Sequence, residues 1–412
     1  MKLKLLLLLL LVIVKSYSQE KDLNYFLEKA QTNSPLLLDL KNQIHSASLD
    51  SLIFRATRKP QVSANLLANY APVIADFGYD TALSNNHTIS GMVGVNQRIL
   101  GKNQINSQAE TLKLIKDALV LNKKIAVKDL NKSIILQYIL ASASAEQIAY
   151  NQKIELLLKQ EALILKKLTQ NSIYKQTDYL NFSATVQQQA LSLLQLKQQN
   201  QNDLALLNYL SGETDTTSVQ LKKPEIAIKS IQNSDQIVFL KQFDMDRLKL
   251  ENQNKLIDNA YKPSLSLLGD AGYWSSFATL GYKNLGFSFG LALSVPIYDG
   301  NQRTLLHQKN ETALATNLAY KNNFTKQYKQ QLLMLHQKLN QSAAIDKQLQ
   351  SQLLISEALI EANEKLLPTG DAQITDFVIA LGNLINIKNA ISQNNSNKLQ
   401  VINEINYWSF NE

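Results

Sequence analysis

Two hydrophobic periods alternate along this chain. Residues 286–297 follow a period of two: Phe287, Phe289, Leu291, Leu293, Val295 and Ile297 face one way, and Ser288, Gly290, Ala292 and Ser294 face the other. That pattern predicts a strand of about ten residues with one apolar and one small, polar face. Segment 88–99 repeats it, with Ile89, Val93, Val95 and Ile99 opposed to Ser90, Gly94, Asn96 and Arg98. Extended segments at 61–76 and 264–276 complete two strand pairs. A polar loop with Gly78, Asp80, Asn85 and Asn86 joins the first pair. The rest is helical. From Asn103 to about Leu168 there is no Pro or Gly, which predicts one helix roughly 99 Å long. Its Ile105, Ala109, Leu112, Ile115 and Leu119 keep the mixed three/four spacing of a coiled-coil face. Shorter helices are predicted at about 23–58, interrupted near Ser34-Pro35 and stopped by Pro60, and at 177–210, ended by Gly212. Further helices are predicted at 235–261, stopped by Pro263, at Gln302–Leu366, broken by Pro368-Thr369-Gly370, and at 373–408. The two helices 23–58 and 177–210, end to end, match the long one in length. A long helix beside a stacked pair would make a rod roughly 100 Å tall.

The second half of the pattern repeats the first. Leu207-Asn208-Tyr209 returns as Ile405-Asn406-Tyr407, and Thr177-Asp178-Tyr179 as Thr375-Asp376-Phe377. Lys59-Pro60 returns as Lys262-Pro263, and Gly101-Lys102-Asn103-Gln104 as Gly300-Asn301-Gln302-Arg303. A unit this long is a duplicated domain, not a solenoid repeat. The expected organisation is a leader at 1–18, a first repeat at 19–210, a polar inter-repeat segment at 211–233 containing Pro224, and a second repeat at 234–412.

Composition narrows the class. Lys2 and Lys4, the apolar run Leu5 to Val14, and Ser16-Tyr17-Ser18 before Gln19 read as a secretory signal. Ten apolar residues are too few to span a bilayer as a helix, and no later continuous run of 18 apolar residues exists. Without Lys2, Lys4 and Lys15 the formal net charge falls from +8 to +5. The basic residues are scattered among Gln, Asn and Glu, with no aromatic-basic cluster of the kind that binds nucleic acid. Cys is absent, which excludes disulfides and thiol chemistry. His45, His87, His307 and His336 are scattered without metal-ligand spacing, so no metal, cofactor or catalytic centre is expected and the chain reads as no enzyme.

The strands carry the functional argument. A ten-residue strand with one wholly apolar face is the signature of a membrane β-barrel, and Tyr70, Tyr273 and Trp274 suit its interfacial belt. The competing reading is a half-buried strand in a soluble sandwich, for which the chain has few partner strands. Four strands cannot close a barrel, and an open edge does not persist in lipid. Closure requires other copies. A dimer gives eight strands with an interior nearly filled by side chains, whereas a trimer gives the wider twelve-stranded form.

This plan resembles the TolC-like outer membrane efflux protein family. The resemblance rests on the duplicated helix–Pro–strand pairs, on Val295-Pro296-Ile297-Tyr298-Asp299-Gly300, which is similar to the family's strand-to-helix junction, and on the turn Gly370…Asp376-Phe377-Val378. It covers about 20–410. It implies a mainly α chain with membrane β-structure: a trimeric 12-stranded barrel continuous with a long α-helical periplasmic tunnel. It further implies an exit duct in the outer membrane of a Gram-negative-type bacterium, supplied by an inner-membrane pump through a periplasmic adaptor protein. The alternative is a periplasmic helical-hairpin adaptor or scaffold without a channel, which would have no use for four amphipathic strands. The chain departs from the family in Ser172, where the second copy has Gly370. It also has Arg98-Ile99-Leu100-Gly101 where Pro-aromatic is typical, and Ala372 where an Arg is frequent.

Under the resemblance Asp178 and Asp376, each just after a helix break, lie at the periplasmic tip. Three chains would set six carboxylates around an aperture and favour cations. Asp near a helix start also serves as a cap, and both roles remain open at this point. Lys175, Lys365 and Gly370, with Lys166 and Lys167, flank the tips as candidate adaptor contacts or as ordinary solvated surface.

Overall fold

The computed structural model describes residues 21–80, 87–214, 219–229, 237–276 and 281–409. The expected leader, Asn85 and Asn86, and parts of the inter-repeat segment lie outside the described residues. The elements run α1 Leu23–Asn33, α2 Pro35–Thr57, β1 Gln61–Tyr70, β2 His87–Ile99, α3 Lys102–Gln170 and α4 Gln176–Ser211. They continue with α5 Val238–Ala260, β3 Ser264–Ser275, a short 3-10 turn at Gly281–Lys283, β4 Leu285–Ser294, α6 Gln302–Leu366 and α7 Ile374–Ser409. Helix, strand pair, long helix, shorter helix thus occurs twice in order.

Local chemistry explains most ends. The Ser34 N–H donates to the Ala30 carbonyl and closes α1, and Pro35 opens α2, where its missing N–H costs nothing. α4 ends at Gly212, whose φ of 70° is left-handed. Two strands are shorter than their apolar pattern. β1 stops at Tyr70, not near 76, because Pro72 cannot donate to a ladder and Ala75 and Asp76 turn the chain at φ 50° and 66°. β4 stops at Ser294, just before Pro296.

The chain divides into two compact units. One contains residues 39–122 and 239–323, including all four strands. They form one antiparallel sheet in the order β1-β2-β3-β4. Gly272 of β3 lies so close to β2 that a Cβ there would run into the Gly91 carbonyl oxygen and stand 2.7 Å from Met92 Cα. Only glycine fits that approach.

In the same unit α5 packs on the start of α3 through polar groups. Asn252 Nδ2 donates to the Ser107 carbonyl at 2.9 Å and to Thr111 Oγ1 at 2.8 Å. Asn259 Nδ2 donates to the Asn103 carbonyl and to Ser107 Oγ, and Gln104 Nε2 donates to the Asn259 carbonyl. The buried face of α3 here is Gln104, Ser107, Leu114 and Leu121. This corrects the apolar stripe expected from spacing: Ala109 and Ile115 of that stripe are exposed. Amide donors in register hold the helix pair, although Asn252 Oδ1 is buried without a hydrogen-bond partner among the described residues, and the apolar stripe is left partly open. His307 lies between Asn254 Oδ1 at 3.1 Å and Asp258 Oδ1 at 3.0 Å. The Arg303 guanidinium, at 2.7 Å, and then His307 hold the Asp258 carboxyl below the usual carboxylate range.

The other unit contains residues 21–38, 123–238 and 324–409 as far as they are described, and is helical. One core gathers Phe26 and Ala30 of α1, Ile134, Tyr138 and Ala141 of α3, and Leu204 and Leu207 of α4. Within the inter-repeat segment, Leu221 forms a parallel bridge with Lys21, just ahead of α1. By length and composition, α7 is apolar enough to cross a membrane, which a search for continuous apolar runs passes over. Its Phe377, Ala380, Leu381, Leu384, Ile402 and Ile405 are buried within the helical unit.

Candidate functional site

Two places in the fold hold the residues that the sequence singles out: the sheet and the helix turns after α3 and α6. Residues paired directly across antiparallel strands project to the same side. Leu267 pairs with Leu291 and with Gln97, Gly269 with Phe289 and Val95, and Ala271 with Phe287 and Val93. Val95 pairs with Val62, Val93 with Ala64 and Gly91 with Leu66. One face therefore carries Val62, Leu66, Val93, Val95, Leu267, Phe287, Phe289, Leu291 and Leu293. The opposite face carries Ser63, Asn65, Asn96, Ser266, Asp270, Ser288 and Ser294, with Ser288 Oγ donating to Asp270 Oδ2 at 2.7 Å. No described residue covers the apolar face. Leu66 is 82% exposed, Phe289 86% and Leu291 70%. Among the described residues the outer edges of β1 and β4 have no partner strand. Tyr70 and Tyr273 fall on the apolar face by register, whereas Trp274, paired with Ser90, falls on the polar one.

The helix turns lie in the helical unit and share one construction. After α3, the Ile173 N–H donates to the Leu168 carbonyl and the Ser172 N–H to that of Thr169. After α6, Asp371 donates to Leu366 and Gly370 to Leu367. Both are Schellman closures with a left-handed residue, Ser172 at φ 61° and Gly370 at φ 82°. The serine thus adopts the conformation that its counterpart meets with glycine. A Cβ on Gly370 would stand 3.1 Å from Ile173 Cγ2, so the second turn is crowded as well as left-handed.

Beneath the turns is a core of Ile154, Leu158 and Leu165 from α3, Phe182 from α4, Ile360 from α6, Leu367 and Ala372 from the second turn, and Phe377, Ala380, Leu381 and Leu384 from α7. Phe182 and Phe377 stack with ring centroids 6.2 Å apart. Tyr174 crosses between the turns: its hydroxyl faces the Leu367 carbonyl at 3.0 Å and the Ala372 carbonyl at 2.8 Å. Burial, and then the nearby Asp371 and Asp178 carboxylates, push the Tyr174 hydroxyl's pKa up and keep it a donor.

The anticipated tip residues take these positions. Asp178, half-buried in the first turn of α4, accepts from the Lys175 N–H at 3.2 Å. That bond caps the helix start. Asp376 is exposed in the first turn of α7. Lys175 is the exposed N-cap residue of α4. Lys365 is exposed and paired with Glu361 one helical turn earlier, at 2.7 Å. Glu161 and Glu364 were not anticipated as neighbours: burial, then the charge of Glu364, pushes the Glu161 carboxyl up. Tyr174 was not anticipated either, and its only sequence signal is an aromatic residue directly after a helix break.

No protein-family model and no curated protein matches the sequence. Solved structures do match. A membrane protein from Pseudomonas aeruginosa superimposes with a TM-score of 0.79 at 14% identity, covering 96% of this chain and 91% of that one. The outer membrane protein VceC from Vibrio cholerae gives 0.76 at 14% identity, over 94% and 96%. The open-state MtrE outer membrane channel of Neisseria gonorrhoeae gives 0.76 at 12% identity, over 94% and 88%. From the first helix to the last, the chain has the fold of TolC-like outer membrane channels, the family its duplicated pattern resembles.

Proposed function

We propose that three copies of this chain close a twelve-stranded barrel in an outer membrane and act as a passive exit duct. The observation that carries this reading is the sheet, whose wide apolar face is uncovered and whose two edges are unpaired among the described residues. Open edges do not persist in lipid, and a wide apolar face does not stay bare in water. With four antiparallel strands, β1 and β4 run in opposite directions. Joining β4 of one copy to β1 of the next therefore keeps the alternation unbroken around a closed ring. The apolar stripe left open on α3 and the exposed Leu305, Leu318, Leu333 and Leu354 of α6 provide helical surface for the same neighbours. In this reading the two runs of elements are copies of one unit, and the helices form a periplasmic tunnel. Substrate arrives from an inner-membrane pump through an adaptor at the tips, near Lys175, Lys365 and Gly370. Light scattering of detergent-extracted protein is expected to give a trimer. A monomer, or protein wholly soluble in periplasm, overturns the reading.

At the tips, Asp178 and Asp376 from three chains form the acidic ring of the aperture. Replacing both with Asn is expected to weaken cation selectivity and cation block of single-channel current in planar bilayers. Asn caps helices about as well as Asp, so the swap isolates the charge. Selectivity and block equal to wild type leave these residues a capping role only.

A further inference from the structure

We propose that each chain carries an anion-binding station at the strand–helix junction, where the Arg98 guanidinium and the Lys262 ammonium together hold a phosphate or carboxylate group of a solute. Both side chains line one cavity of about 280 Å³. Arg98 comes from the end of β2 in the first repeat, and Lys262 from the turn between α5 and β3 in the second. Among the described residues no carboxylate lines this cavity. Both cations are exposed, and neither makes a hydrogen bond or ion pair through its side chain with a described residue. The same lack of partners holds for the Gln108 amide and for the Ser264 and Ser294 hydroxyls beside them.

Two like charges beside one cavity repel each other, and an anion between them replaces that repulsion with attraction. An oxyanion only accepts hydrogen bonds, and the guanidinium fork, the ammonium, the amide and the two hydroxyls are unengaged donors. The wall behind them is fixed, because Gln104 Nε2 donates to the Asn259 carbonyl and Asn259 Nδ2 to Ser107 Oγ. The volume is just below that of pockets that enclose a drug-sized molecule, so the cavity takes one charged group of a larger solute. By register Arg98 pairs with Ser266, and Ser264 with Ser294, which puts the station on the polar face of the sheet. The one carboxylate among the described strands is Asp270, already bonded to Ser288. It lies about 13 Å from Ser266 along β3, at the rise of a strand. Arg98 belongs to the stretch that departs from the family's junction, and its counterpart in the second repeat is Ile297. The station therefore occurs once per chain. In the proposed duct, three copies set six cations around the lumen, where a low-dielectric wall focuses their field. Together with the cation preference proposed at the tips, this fits solutes that carry both charges.

The station's place in a lumen rests on the duct reading; its binding of an anion does not. Inorganic phosphate titrated into full-length protein in a phosphate-free detergent is expected to give saturable broadening of its phosphorus NMR line. Arg98→Gln and Lys262→Gln are each expected to raise the half-saturating phosphate concentration about tenfold, the factor for one lost hydrogen bond to a charged group. Neither side chain is bonded within the chain, so both variants fold. Arg98→Lys keeps the charge, loses the planar fork and is expected to fall between wild type and Arg98→Gln. Lys255→Gln removes a charge from α5 outside the cavity and is expected to bind as wild type does. No saturable binding by wild type, unchanged binding in Arg98→Gln and Lys262→Gln, or an equal loss in Lys255→Gln overturns the station. A co-extracted phospholipid signal that is lost in Arg98→Gln assigns the site to a lipid headgroup and overturns the solute. In planar bilayers phosphate is expected to reduce wild-type current and to spare that of Arg98→Gln. Phosphate binding with no effect on a measurable current overturns the lumen location. Phosphate binding to a protein that carries no current even as wild type keeps the station and removes the duct reading.

Discussion

Leu291→Arg is expected to stop assembly, while Ala292→Arg, one residue along, leaves it largely intact. Leu291 lies mid-strand in β4 on the apolar face, opposite Leu267 and flanked on its own strand by Phe289 and Leu293. If that face meets lipid, an arginine near the bilayer midplane costs about 2–4 kcal/mol per chain, and three copies carry roughly 6–12 kcal/mol in total. Ala292 lies opposite Ser266 on the polar face; in the proposed barrel a guanidinium there reaches water. Both positions are solvent-open in the single chain, so the difference between them arises only from what surrounds the assembled sheet. The measurement is the fraction of trimer that resists dissociation on unboiled gels of membrane extracts. Equal trimer yields for the two variants would sink the facing assignment, and with it the membrane sheet.

Phe377→Ala is expected to loosen the tip more than any other single truncation there. Phe377 is fully buried, stacks on Phe182, and sits where α3, α4, α6 and α7 meet. Deleting a buried aromatic ring costs about 3–5 kcal/mol from lost transfer energy and the cavity left behind. Ile379, two residues on, is 61% exposed, and truncating it to Ala should change stability by about 0.5 kcal/mol or less. Hydrogen exchange across residues 374–384 separates the cases. Rapid exchange in Phe377→Ala with normal exchange in Ile379→Ala is the expected result, and similar protection in both would mean that the cluster does not hold the helix ends together. In the proposed duct the loosened tip is also expected to leak current in planar bilayers.

Much of this was legible in the residues because it is local. A proline has no N–H wherever it stands, so Pro263 and Pro368 end helices without help from distant groups. Gly212 and Gly370 take left-handed backbone at little cost, and both helix ends predicted from them lie within a residue or two of where they occur. The period-two pattern of β4 identified the apolar face that its register confirms. Errors arose where local pattern met a distant partner. Spacing marks the stripe Ile105–Leu119 as the packed face of α3, because it counts apolar residues and does not register that Asn252 and Asn259 arrive from α5 with amide donors. Asp178 was recognised as a residue near a helix start, and its capping bond spans only three positions. Tyr174 was passed over because its partners lie 193 and 198 positions away.

The sequence by itself determined the kinds of element, their order, their repetition and the amphipathic character of the strands, since these follow from backbone preferences and periodicity within a few residues. Only the tertiary structure decided the rest. It brought four strands from two distant segments into one sheet with a common apolar face, whose two edges are unpaired among the described residues. It chose the buried side of α3, and it set one tyrosine hydroxyl against two carbonyls of the other repeat. Each of these depends on closing loops of a hundred residues or more. The free energy that selects among such closures comes from burial and hydrogen bonding between groups that no local window contains together.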